Sequence, residues 1–403
     1  MKVLMVSTHP TSGGGVSSYT KSIVRSLREH GVDVVVFSNK PEKTRLQQDF
    51  GGIHACWIRG TLYPLQIFKA LAANVDVDMV HVQHEFFLYG GMFSAIIFPV
   101  LLALIHLLGK PVVVTVHGVI PLYEFNERFK EENELKGPFL LLKFGLILLT
   151  REIVFLSDAV VVHASFFAKI LVKDYKCPER KVHVVPHGVE EKRGKTAQDE
   201  AKDKLGLNDK KVILFFGYIT KYKGIETLIE GFARVANQFR DLILVIGGGA
   251  HPRLRSNRHY AEYLSELQKS AISAASQGRI LFTGFIPEDE LPLYLSAADI
   301  MVFPYTAPMA SSGPLSFAMS YGKAVVASDI PSFAEIIPLE DALFRRNSPG
   351  DLADKLERML NSSALRDKVS NCIKIRAKEH SWQAVGSKTY ELYQELLFTQ
   401  ANS

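Results

Sequence analysis

Cysteine is scarce in this chain of 403 residues: Cys56, Cys177 and Cys372 are the whole complement. They are odd in number, far apart and not in metal-ligand spacing. That excludes a disulfide framework and fits a reducing compartment, with Cys177, just before Pro178, as a plain loop or core residue. A large excess of one charge is also missing. The net charge is only +5, too mild to call for a nucleic-acid partner. There is no low-complexity tract and no short-period repeat. No P-loop, no G-x-S-x-G elbow, no Ser/His/Asp order and no paired-carboxylate motif stands out, so the best-marked routes to nucleophilic catalysis are absent. No apolar run reaches the ~20 residues that span a bilayer comfortably. The opening "MKVLMVS" reads as a strand followed by turn residues rather than as a leader.

What is present is ordinary for a soluble globular protein: 47% apolar and 22% charged residues, in a length that favours two domains with separate cores. Two stretches are unusually greasy. Residues 92–108, "MFSAIIFPVLLALIHLL", are interrupted by Pro99 and His106. Residues 138–149, "PFLLLKFGLILL", form the second. Both are expected as buried helices of an α/β domain; the alternative is a surface that faces a membrane without crossing it.

Strand and helix signals alternate. "KVLMVS", "VDVVVFS", "DMVHVQH", "PVVVTVHG", "DAVVVHA" and "KVHVVPHG" are short, β-branched and continuously apolar, as buried parallel strands are. Between them, "SSYTKSIVRSLREHG" keeps Val16, Tyr19, Ile23 and Leu27 on one helical face, with Gly31 as a C-terminal cap. The polar stretch "VEEKRGKTAQDEAKDKLGLNDKK" is the best linker. The pattern then restarts with "KVILFFG", "LILVIGGG", "RILFTG", "IMVFPY" and "AVVASD". The expected fold is therefore α/β, with two doubly wound Rossmann-like domains facing a central cleft.

Ligands of such sheets bind beyond the carboxyl ends of the strands. Gly13, Gly14 and Gly15 follow the first strand and precede a helix, so backbone N–H groups can approach a ligand there. A dinucleotide fingerprint fits this loop poorly. The loop is long, and Ser38-Asn39 rather than an acid ends the second strand. In "FFGYITKYKGIETLI", Gly217 ends a strand and Lys223-Gly224 opens a helix, with Lys221 close by; a cation beside oriented amides suits an anion. The amides of Ser311, Ser312 and Gly313 precede a helix expected over 314–321, where Pro314 suits the first turn. Two anion sites in one domain suggest a diphosphate. Histidines cluster at strand ends: His81, His84, His117, His163 and His187. His81 and His84 point to opposite faces of one strand, which argues against a shared metal. His117 in "TVHG" is the better candidate for a polar contact.

Taken in order, Gly14-Gly15, "DMVHVQHEF", "TVHG", "VVPHGVE", "GYITKYKG", "GFIPEDELPLYLSAADIMVFP" and "FAMSYGKAVVAS" resemble a GT-B fold glycosyltransferase of the retaining family 4 type. The resemblance covers essentially the whole chain. It implies an acceptor-side domain over 1–190 and a nucleotide-sugar-binding domain over 208–380. A last helix over about 381–403, "SWQAVGSKTYELYQELL", would cross back to the first domain. Lys223 matches the family's diphosphate-binding lysine and His117 the histidine near the donor sugar. Gly14 and Gly15 match the loop near phosphate and acceptor. The usual arginine after the glycine is Tyr218 here, and Lys221 is the cation that could stand in. Gly217, Met309, Ser311, Ser312, Gly313, Leu315 and Phe317 complete the implied donor site.

The family's E-x7-E acids fall on Met309 and Phe317, and no Asp or Glu lies between Asp299 and Asp329. What remains is an amide cradle without its usual ribose anchor. The resemblance implies sugar transfer from a nucleotide diphosphate sugar with retention. No metal or cofactor, no protein nucleophile and no nucleic acid is expected. The expected acceptor is a glycan or a lipid-linked molecule, in the cytoplasm and in contact with the inner face of the cell membrane. The alternative is a catalytically inactive GT-B-like binding protein; a dinucleotide-dependent oxidoreductase is a third, more distant reading.

Overall fold

The computed structural model describes residues 1–9, 14–40, 52–73, 76–133, 135–191, 196–250, 258–274 and 279–402. The chain forms two compact units. The first comprises Met1–Gly188, Met309–Ser311 and His380–Ser403; the second comprises Val189–Pro308 and Ser312–Glu379.

The first unit is built on a seven-stranded sheet: β1 (Lys2–Ser7), β2 (Asp33–Asn39), β3 (Ile53–Trp57), β4 (Met79–His84), β5 (Val112–Val116), β6 (Ala159–Val162) and β7 (Val182–Val184), in the order β3-β2-β1-β4-β5-β6-β7. Every pairing is parallel, with Val3 opposite Val34 on one side and Met79 on the other. Both faces are covered, so the strands can be apolar throughout. Val3, Leu4, Met5 and Val6 are all buried. On one face the helix Gly15–Glu29 contributes Tyr19, Ile23 and Leu27 to a core shared with Trp382, Val385 and Tyr393 of the helix Trp382–Ala401. Ser26 on the first of these helices donates from Oγ to the carbonyl of Trp382 at 2.6 Å.

The second unit holds a six-stranded parallel sheet: β8 (Lys211–Phe216), β9 (Leu242–Gly247), β10 (Ile280–Gly284), β11 (Ile300–Phe303), β12 (Ala324–Ser328) and β13 (Leu343–Phe344), in the order β10-β9-β8-β11-β12-β13. Ile213 pairs with Leu244 on one side and Ile300 on the other. In both sheets the winding reverses beside the first strand, at β1/β4 and at β8/β11. Such a reversal splays the flanking loops and opens a crevice at the carboxyl ends.

Three expectations need correction. The linker stretch contains a helix, Gln198–Lys204. The helix expected over 314–321 runs one residue earlier, Gly313–Ser320, because Ser312 supplies the cap. The greasy stretches do form helices, Met92–Ile96, Phe98–His106 and Phe139–Phe155, but they are not simply buried. Only Leu146, Ile153 and Val154 of the longest are buried, while Leu140 is 76% and Phe155 73% exposed. The sheet needs only one face of each helix, and here the opposite face is apolar as well.

Candidate donor site and histidine cluster

The second unit's switch point is assembled from the ends of β8 and β11. After β8, Gly217 adopts φ 140°, and a side chain there would press on Pro314 Cγ at 3.1 Å. A short turn, Lys221–Lys223, ends at Gly224 in the left-handed region with φ 65°. A Cβ at Gly224 would lie 2.0 Å from the Pro304 carbonyl oxygen, so only glycine fits this approach. Thr306 N donates to Tyr222 O at 2.8 Å. The loop after β8 is thus clamped to the loop after β11.

Lys223 is carried inward by this clamp and is buried. Its Nζ lies over two aromatic faces, 3.7 Å from the Tyr305 ring centroid and 4.8 Å from that of Tyr222. No carboxylate pairs with it among the described residues. Burial alone pushes its pKa well below the usual lysine value. Ring quadrupoles offset part of that desolvation, and an incoming anion would offset far more. Lys221, two residues earlier, is exposed.

Tyr305 connects this ammonium to the next helix. Its hydroxyl is 2.8 Å from Ser312 Oγ, and Ser312 Oγ accepts from Leu315 N at 3.2 Å. This is an N-cap with proline in the first turn, where the missing N–H costs nothing. Ala310 forms an isolated antiparallel bridge with Gly118, which turns the Ser311 N–H to the His117 carbonyl; none of the described residues accepts from the amides of Ser312 or Gly313. A Cβ at Gly313 would meet nothing within 4 Å. Leu315 is buried, so its side chain belongs to the core. Phe317, one turn on, is half-buried and stacks edge-on with Phe216 at 5.9 Å.

The first unit gathers its candidates at the carboxyl edge of its own sheet. Gly14 has φ 100° and occupies the N-cap of the helix Gly15–Glu29 without a side-chain cap; Gly13 lies outside the described residues. Met309 is held by its backbone, which accepts from Val119 N at 3.1 Å. His117, just past β5, has both ring nitrogens engaged: Nε2 with Gln83 Oε1 at 2.8 Å and Nδ1 with His163 Nε2 at 3.2 Å. His163 Nδ1 faces the Val185 carbonyl at 2.9 Å. Tyr19 lies against His117, His163, His187 and Trp382, with centroids 4.8–5.5 Å apart. Burial lowers the pKa of His81 to about 3, His84 to about 4 and His163 to about 3; neighbouring imidazoles push His81 and His163 the same way. His117 falls well below its ordinary value for the same two reasons. These rings are neutral at pH 7. His81 spends both nitrogens on Tyr393 and Thr115. No group of three or more potential metal ligands occurs among the described residues.

Two family models match the chain in succession: Glycosyltransferase Family 4 over residues 13–193 and Glycosyl transferases group 1 over residues 197–376. The chain belongs to the GT-B glycosyltransferases of the family 4 type. Among curated relatives, the alpha-D-kanosaminyltransferase of Streptomyces kanamyceticus is 26% identical over 202 residues, 49% of each chain. The chain spans about half the length of the curated relatives it matches. Sucrose-phosphate synthase from Thermosynechococcus elongatus has the same fold, with TM-score 0.76, 18% identity and 99% of both chains covered. So has Anabaena HepE, solved in complex with UDP and glucose, with TM-score 0.72, 16% identity and coverage of 98% of this chain and 100% of that one.

For this family member, sequence reasoning named Lys223, Gly217 and the 311–313 amides but not the two tyrosines that carry the lysine. Tyr305 lies two residues past the end of β11, beside the switch point; that position is the available signal. Gln83, buried at the end of β4, was also missed. Its place beside His117 follows from the pairing of Gln83 with Thr115 across β4 and β5.

Proposed function

We propose that this glycosyltransferase-family chain moves a sugar from a nucleotide diphosphate sugar to a glycan or lipid-linked acceptor, with retention of configuration and without a metal. The observation that carries the reading is the buried Lys223 ammonium on two tyrosine faces, with no carboxylate among the described residues to neutralise it. As the sugar–phosphate bond breaks, charge gathers on the leaving diphosphate. Lys223 and the amides of Ser312 and Gly313 would receive it, preorganised and largely dry, with Ser311 fixing the loop through its bridge to the strand end at His117. His117 would stand beside the donor sugar, and Gly14 and Gly15 beside phosphate and acceptor. Leu315 would contribute only the helix packing that fixes Ser312. Met309 and Phe317 occupy the places of the family's two acids, so the ribose must be held by other groups. Lys221 would be the outer cation. Incubation with a panel of nucleotide sugars, followed by assay of released nucleoside diphosphate, tests this; binding without turnover would favour the non-catalytic alternative.

The acceptor side carries a second observation. Exposed apolar residues recur at 93, 96, 100 and 107 and again at 141, 144, 148 and 155, on helices packed beside one another. Along with the neighbouring helix Tyr63–Ala72, these helices carry Lys69, Lys143 and Arg151 against the single acid Glu152. No helix among the described residues is long and apolar enough to cross a membrane. We read this face as lying on an anionic lipid surface, the inner face of the cell membrane, which suits a lipid-linked acceptor.

A further inference from the structure

We propose that His163 is a positioning residue acting through His117, and that the two rings take up one proton between them when the anionic donor binds. The inference rests on the reading that His117 stands beside the donor. It follows from counting protons along one chain of contacts: Gln83 Oε1, His117 Nε2, His117 Nδ1, His163 Nε2, His163 Nδ1, Val185 O. A backbone carbonyl only accepts, so His163 Nδ1 must carry a proton. In the neutral pair one proton remains for His117. Placed on Nε2 it satisfies Gln83 and leaves two lone pairs facing each other between the rings. Placed on Nδ1 it satisfies His163 and sets a lone pair against the Gln83 oxygen.

Only a third proton satisfies all three contacts with Gln83 as it stands. Nothing else holds Gln83 strongly: its Nε2 faces Met5 Sδ at 3.1 Å, and a thioether is a weak acceptor. In the free protein the neutral pair is satisfied when the weakly held Gln83 amide turns its Nε2 to His117 Nε2; with Gln83 Oε1 on His117, as it stands here, the pair needs the third proton. The groups facing it are Tyr19 from the helix Gly15–Glu29, His81 and His84 from β4, and His187 beyond β7. They are imidazoles and one phenol, and among the described residues no carboxylate faces the pair. A nearby diphosphate favours the charged form. The proton comes from solvent, and no covalent bond other than N–H changes. Bound ligand then finds a cation that the free protein never had to bury.

Ring nitrogen NMR on protein labelled with 15N-histidine tests this, with UDP as the probe and signals assigned from single substitutions. In free protein at pH 7.5, His163 carries its proton on Nδ1. Saturation with UDP adds one ring N–H to the pair, and calorimetry in buffers of different ionisation enthalpy reads the same uptake. His163→Gln keeps a hydrogen-bonding atom near His117 but cannot titrate. It binds UDP with less proton uptake than wild type, lowers kcat more than it changes KM, and retains more kcat than His163→Leu. A His163 proton on Nε2, equal uptake in wild type and His163→Gln, or equal kcat in all three proteins overturns the proposal. Failure of UDP, ADP and GDP to bind at all counts against the donor reading instead, and the free-protein tautomer still decides the positioning claim.

Discussion

The Lys223 ammonium lies over the ring of Tyr305, whose hydroxyl meets the Ser312 cap. One tyrosine therefore places both the cation and the amides. Lys223→Ala should remove a preorganised donor worth ~2.7–4 kcal/mol in the transition state, so turnover should fall by about two to three orders of magnitude. Assay of released nucleoside diphosphate checks this; an unchanged rate takes Lys223 out of the mechanism.

Tyr305→Phe keeps the ring under Lys223 and removes the bond to Ser312. Nucleotide affinity should drop by about 0.5–1.5 kcal/mol, or about 2- to 12-fold, through a looser cap. Tyr305→Leu removes the ring face too and should cost more. Calorimetry on both variants separates the two contributions, and equal losses would deny the ring any part.

Burying Lys223 has a pH signature. Its folded pKa lies below the unfolded value of 10.5, so the unfolded chain binds more protons in between. Stability contributed at this position therefore rises with pH through that window. Lys223→Met should raise the melting temperature at pH 7, and the advantage should shrink towards pH 10.5. A constant difference would show that the lysine is not penalised.

The buried histidines give the opposite end of the curve. His84 titrates at about 4 when folded against 6.5 when unfolded, and its Nδ1 has no partner among the described residues. Below pH 6.5 the unfolded state binds more protons, so stability should fall as pH drops towards 4. His84→Leu should flatten that fall in melting curves taken between pH 7.5 and 4.5. An unaltered slope would assign the acid sensitivity to other groups.

Phe317→Glu restores an acceptor where the family keeps one. A hydrogen bond to a charged group contributes ~1.5–3 kcal/mol, so nucleoside diphosphate should bind about 10- to 150-fold more tightly. Weaker binding would mean that the position held by Phe317 against Phe216 serves another contact.

On the apolar face, Phe144 and Leu148 are exposed, so replacing both with aspartate should leave the melting temperature unchanged. Full burial of a Leu or Phe contributes ~1.5–3 kcal/mol, and flotation with vesicles of anionic phospholipid should weaken at least tenfold. Wild-type protein that stays in the soluble fraction would sink the membrane reading.

The fold class was legible because strands covered on both faces are written as unbroken β-branched runs. β3 escaped notice: it is an edge strand with His54 and Ala55 exposed, and it has no such run. β13 has only two residues, too few for any period. Lys223 could be placed at a helix start from its own neighbours. The Tyr305 ring beneath it could not, because Tyr305 lies 82 residues away and meets it only through the β8–β11 pairing. The same holds for His117 and His163, which are brought together by β5 and β6. The greasy helices misled for a different reason: apolar periodicity marks a face, but does not say whether protein or something else covers it.

The helix Trp382–Ala401 belongs to the first unit although the whole of the second precedes it in the chain. During synthesis the second unit can complete its core while the first still waits for its last layer. Until Trp382 arrives, Tyr19 and the imidazoles around it lack a wall. Completion of the first unit thus waits on a segment made after the whole of the second, and a chain interrupted near residue 380 would carry a finished second unit beside an unfinished first one.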